Sequence, residues 1–62
     1  MKRFYEYFRV IQGIIHITDG RDIWEGPIED CPLSFALKPV RYFEPVILEG
    51  KPALFVSVIE DF

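Results

Sequence analysis

Apolar and polar residues alternate most cleanly toward the C-terminal end of the chain. In Ala53–Ile59 (ALFVSVI), Leu54, Val56 and Val58 fall on one side of an extended backbone, and Phe55, Ser57 and Ile59 fall on the other. Both sides are largely apolar, which is the pattern of a central strand or of one covered on both faces. Val40–Leu48 reads as a second strand. Its Pro45 cannot donate to a ladder, so it marks an edge or a bulge. Glu49-Gly50-Lys51-Pro52 between the two is a turn. Upstream, Ile14–Thr18 and Arg21–Glu25 flank Asp19-Gly20. That arrangement predicts a hairpin closed by a type I′ turn, which needs positive φ at both central positions.

The N-terminal third is less clear. Residues 4–18 (FYEYFRVIQGIIHIT) are rich in aromatic and β-branched side chains, which favour strand. Phe4, Phe8 and Ile11 or Gln12 also recur at helical spacing, and Gly13 stands where a helix C-cap would. Strand is the preferred reading, because Tyr5, Tyr7, Phe8, Val10 and Ile11 all lose rotamer freedom in a helix. Gly13 then marks a bulge or a bend. Residues 26–39 hold Pro27, Pro32 and Pro39 and no sustained period, so they predict a long loop in which Leu33–Leu37 can form a helical turn. The elements add up to a mainly β fold: a small antiparallel sheet or partly open barrel of SH3 or OB size, with four to five short strands. The alternative is an α+β fold with a short N-terminal helix at about residues 2–12.

Length makes this a single small globular domain, residues 1–62. With 50% hydrophobic residues and a net charge of only −3, the chain has the composition of one that collapses, not of a disordered tail. It collapses with little to spare. At 7.3 kDa, folding hides about 6,400 Å² by area scaling. If about 60% of that is apolar, burial contributes on the order of 95 kcal/mol, and ordering the residues costs about as much. A chain so balanced is expected to gain from dense aromatic packing, from a partner surface or from self-association.

Charge is distributed in blocks. Residues 1–18 carry Lys2, Arg3 and Arg9 against Glu6, whereas residues 19–30 carry Asp19, Asp22, Glu25, Glu29 and Asp30 against Arg21 alone. The acidic balance disfavours nucleic acid as a partner. Arg3-Phe4-Tyr5, Tyr7-Phe8-Arg9 and Arg41-Tyr42-Phe43 nevertheless set rings beside guanidinium groups, which can stack on unpaired bases and neutralise phosphate. Cys31 is the single cysteine, so no intrachain disulfide is available, and a reducing compartment is expected. Glu6 and Arg9 break any apolar run after Lys2 and Arg3, so neither a targeting segment nor a membrane partner is expected, and the cytoplasm is the expected location.

The chemistry on offer is sparse. His16 and Cys31 have the residue types of a base and a nucleophile, but nothing in the sequence brings them together. The acidic stretch has hard oxygen donors without the spacing of a calcium loop. Gly13, Gly20, Gly26 and Gly50 stand apart and form no phosphate cradle. No catalytic, metal or cofactor residue is assigned, and an enzyme is not expected. What remains is a small non-catalytic binding or regulatory protein acting through a protein partner or as a homo-oligomer. The candidate contact residues are Tyr5, Tyr7, Arg9, Asp22, Trp24, Glu25, Glu29, Arg41 and Tyr42. The alternatives are a single-stranded nucleic-acid-binding barrel and an acidic decoy that presents residues 19–30 to a basic surface.

Overall fold

A computed structural model describes residues 2–60. Two hairpins make the fold. β1 (Ile14–Thr18) pairs antiparallel with β2 (Ile23–Pro27), and β3 (Val40–Leu48) pairs antiparallel with β4 (Lys51–Val58). The hairpins join through their inner strands, β1 and β4, which run parallel, giving the order β2-β1-β4-β3. The fold is therefore mainly β, as the alternation predicts, and β4 is a central strand. The sheet is mixed, not wholly antiparallel, and it is open, not closed into a barrel.

The chain leaves β2 at one edge and must reach β3 at the other. Residues 28–39 therefore cross one face of the sheet, through a 3₁₀ turn at Ile28–Asp30 and the one-turn helix α1 (Leu33–Ala36). The core forms under this crossing. Ile15 and Ile17 of β1 and Val56 and Val58 of β4 are buried there with Phe4, Ile28, Phe35 and Val40. Trp24, Leu54 and Phe43 pack against the cluster from the same side of the sheet.

The N-terminal segment completes this cover, and here the preferred strand reading fails. Phe4–Tyr7 is a 3₁₀ turn, residues 8–10 continue as turn, and strand begins only at Ile14. The helical alternative survives as that single turn. Tertiary bonds dictate the outcome. The Phe4 amide donates to the Lys38 carbonyl at 3.0 Å and the Val40 amide to the Lys2 carbonyl at 3.0 Å, stitching residues 2–4 to the start of β3. Phe4 thereby enters the core completely buried, and Phe8 meets it edge-on at 5.3 Å, so the helical spacing of the two rings reports a real contact.

Two turns exchange roles relative to expectation. The β1–β2 connection is a four-residue loop, Asp19–Asp22, with Thr18 paired to Ile23; β2 accordingly starts at Ile23, not Arg21. Gly20 has positive φ, but Asp19 does not, so this is not a type I′ turn. Asp19 is buried, and its Oδ1 accepts the amides of Arg21 (2.9 Å) and Asp22 (2.8 Å) while Oδ2 accepts Lys38 Nζ at 2.5 Å. The two-residue loop with positive φ at both positions lies instead at Glu49-Gly50 (φ 52° and 78°), closing β3 onto β4 with Leu48 opposite Lys51. Pro45 sits regularly in the edge strand β3, opposite Leu54; the bulge falls at Arg41, between Val40 and Tyr42.

Glutamate is a poor residue for a left-handed position, where asparagine is tolerated. Glu49→Asn is expected to stabilise the domain by about 0.5–1 kcal/mol, raising Tm by about 4–8 °C in a calorimetric scan. The Lys38 ammonium, followed by the loop amides, holds the Asp19 carboxyl well below the usual carboxylate range despite burial. A carboxyl whose pKa is depressed only in the folded state stabilises above its unfolded pKa of about 3.9 and loses that contribution as pH falls further. Asp19→Asn should therefore cost about 2 kcal/mol at pH 7, and the gap from wild type should narrow below about pH 4, as followed by urea unfolding.

Candidate functional site

Every described 3₁₀ turn and helix lies on one side of the sheet, so among the described residues no element covers the other face. Its residues follow from the register. One row across the four strands reads Glu25, His16, Phe55, Glu44, and the adjacent row reads Ile23, Thr18, Ser57, Tyr42. Ile14, Val46, Leu48 and Ala53 alternate onto the same side toward the β3–β4 turn.

Rings form a ladder on this face. Phe55 lies 5.5 Å from His16 with the planes inclined by 31°, and 6.2 Å from Tyr42 with the planes inclined by 36°. β1, β4 and β3 each contribute one ring, so the ladder spans three strands. Ile23 (66% exposed), Tyr42 (49%) and Ile14 (40%) stand open to solvent around it. The face is thus apolar at its centre. Its outer strands carry carboxylates: Glu25 Oε1 stands 3.5 Å from His16 Nδ1, and Glu44 is exposed on β3. A hollow of about 240 Å³ borders it, lined in part by Ile14, Glu25, Leu48 and Lys51.

The structure sorts the sequence candidates into separate regions. Glu25 and Tyr42 come together on the open face. Trp24 alternates to the core side, packs against the cluster and lies over Gly26, where a Cβ would meet its ring at 2.9 Å. Tyr7 is also on the core side, edge-on to Phe43 at 4.8 Å with Lys2 Nζ 5.9 Å from its ring. Tyr5 is half-exposed on the 3₁₀ turn, Arg9 is exposed in the turn that follows, and Arg41 is the exposed extra residue of the bulge. Asp22 and Glu29 lie beyond opposite ends of β2, about 17 Å of extended chain apart, so the acidic stretch does not form one patch.

The basic residues that accompany rings in the sequence are likewise dispersed. Arg3 donates from its guanidinium to the Leu37 carbonyl at 2.9 Å, and Lys38 is engaged with Asp19. His16 and Phe55 escape the sequence reading as site residues. The signal for them was present, since strand alternation opposite Ile15 and Ile17 puts His16 on the far face. Only the strand order reveals that this face is bare.

Cys31 packs against the core, on the opposite side of the sheet from His16, and donates weakly to the Pro32 carbonyl at 3.6 Å. Burial pushes its thiol up to about 11, which leaves it protonated at neutral pH. Among the described residues, no three His, Cys, Asp or Glu side chains gather as a metal site, and no helix is long and apolar enough to cross a membrane. A second groove, of about 460 Å³, lies between the N-terminal segment and the 3₁₀ turn after β2, lined by Phe8, Ile11, Gln12, Gly13, Ile28 and Glu29.

Comparison with protein-family models, characterised proteins and solved structures finds no match to this chain.

A thiol held up to about 11 has roughly a hundredth of the thiolate of an ordinary cysteine near pH 8. Native Cys31 should therefore be alkylated by iodoacetamide about a hundredfold more slowly than in urea-unfolded chain, with mass spectrometry following the adduct.

Proposed function

We propose that the chain is a non-catalytic binding domain that docks a protein partner on the open face of its sheet. The observation that carries this reading is the ladder of half-buried His16 and Phe55 with exposed Tyr42, on a face that no described element covers. A sheet face with an apolar centre and a polar rim has the anatomy of an interface. Exposed rings supply large contact area at small entropic cost, which is why aromatic residues dominate the centres of interfaces. A single-stranded nucleic-acid role would also use rings, but it needs cations beside them. Here Arg3 and Lys38 are occupied elsewhere, and although exposed Arg41 adjoins Tyr42, the carboxylates of Glu25 and Glu44 flank the ladder on both sides. The lone thiol suits a reducing cytoplasm.

Selection from a random peptide library against the immobilised domain tests the reading. Most selected peptides should bind about tenfold or more weakly to the double variant Tyr42→Thr/Phe55→Thr, in which threonine keeps the strand propensity. A retained amide spectrum would show that the variant is folded. If the peptides instead ignore this change and lose affinity for Gln12→Ala/Glu29→Ala, the second groove is the docking surface and the proposal is wrong.

A further inference from the structure

If the open face is the docking surface, the placement of its charges says what docks there. In the row Glu25–His16–Phe55–Glu44, a carboxylate stands on each outer strand and a ring on each inner strand. Three strand spacings of about 4.8 Å separate the two glutamates, or about 14 Å. Of the residues that the register places on this face, Lys51 carries a fixed positive charge, and exposed Arg41 of the bulge adjoins the face beside Tyr42, three residues from Glu44. Lys51 sits at the β3–β4 turn, four residues and about 13 Å along β4 from Phe55. The middle of the face therefore offers negative ends, a π-surface centre and apolar neighbours on both sides.

We infer that the occupant is a basic, aromatic protein segment lying extended across the strands, with the pattern cation-x-aromatic-x-cation. The dimensions match. In an extended segment, residues i, i+2 and i+4 point to the same side, and i and i+4 are about 13 Å apart. Two arginine or lysine side chains then reach Glu25 and Glu44, while the central ring lies over the His16–Phe55 pair, whose centroids are 5.5 Å apart. Charge-assisted hydrogen bonds hold the ends, bidentate where the cation is arginine. Cations passing Phe55 or Tyr42 gain a further attraction from the ring faces.

The same charges exclude a second copy of this chain as the favoured occupant. Two such faces stacked about a two-fold axis along the strands set β2 over β3, and Glu25 over Glu44. An axis across the strands sets β2 over β2, and Glu25 over its own copy. Either arrangement buries carboxylate against carboxylate, a juxtaposition that costs affinity unless the groups are compensated.

Three amide-NMR titrations of the 62-residue chain test this inference, which rests on the docking role proposed for the face. Two use the capped peptides Arg-Ser-Trp-Ser-Arg and Glu-Ser-Trp-Ser-Glu, taken to millimolar concentration so that weak binding is seen. The third is dilution of the protein alone. The basic peptide should shift the amides of Glu25, His16, Phe55 and Glu44 saturably, and the acidic peptide should bind about tenfold more weakly or not at all. Glu25→Lys/Glu44→Lys, two exposed changes, should reverse that preference. Equal response to both peptides, or no response of the face to either, overturns the inference. If neither peptide acts but dilution moves these same amides, the face is an interface between copies; the docking role then stands and the basic partner falls. If nothing moves them and the library peptides also bind elsewhere, both fall.

Discussion

The parallel pairing of β1 with β4 is the constraint from which the rest follows. Two antiparallel hairpins can form locally, each closed by its own loop, but a single hairpin is marginal in water. Joining them through β1 and β4 puts Ile15, Ile17, Val56 and Val58 side by side as the floor of one core. It also sends β2 and β3 to opposite edges, so residues 28–39 have to traverse the sheet. A chain this short has one such crossing to spend. The crossing and the N-terminal turn both cover the floor of the core, and no described element covers the reverse face.

That arrangement is fixed by a few polar contacts as much as by apolar burial. Asp19 ties the β1–β2 loop to the Lys38 side chain, while the Lys38 carbonyl accepts from the Phe4 amide and the Val40 amide donates to the Lys2 carbonyl, holding residues 2–4. The loop of the first hairpin, the end of the crossing and the N-terminal segment are thereby anchored to one another. A buried carboxylate is tolerable there because both its oxygens are bonded. The folded chain exposes 4412 Å², close to what area scaling gives for its mass, so the core is ordinary in extent and leans on such links.

Much of this was legible in the sequence where local pattern and tertiary demand agree. Val40–Leu48 and Ala53–Ile59 were readable as strands because β-branched and aromatic residues run there on either side of a turn signal, and Leu33–Leu37 was readable as a turn of helix. The N-terminal segment was misread because ring-rich residues fit strand and helix alike, and the decision rested on bonds to residues 38–40 that no local window contains. Asp19-Gly20 resembled a type I′ turn, yet the Asp19 side chain captured the loop amides and lengthened the loop to four residues. The type I′ geometry went to Glu49-Gly50, where glutamate gives no hint of it. The open face was the least visible feature. His16 and Phe55 look like core residues until the strand order shows which side of the sheet is covered.

The position of the carboxylates on that face has a physical consequence whichever partner binds. An apolar sheet face on so small a domain invites stacking of one molecule on another, and the outer strands are also where a further strand would add. Glu25 on β2 and Glu44 on β3 sit at those two places. Each meets a like charge when two faces stack in register about an axis along or across the strands, so the pair raises the free energy of those associations between copies. A partner with cations at the matching spacing turns the same two charges from a penalty into an attraction, because discrimination depends on the difference between the two cases. One pair of glutamates thus serves both to keep the rings from one another and to select what covers them.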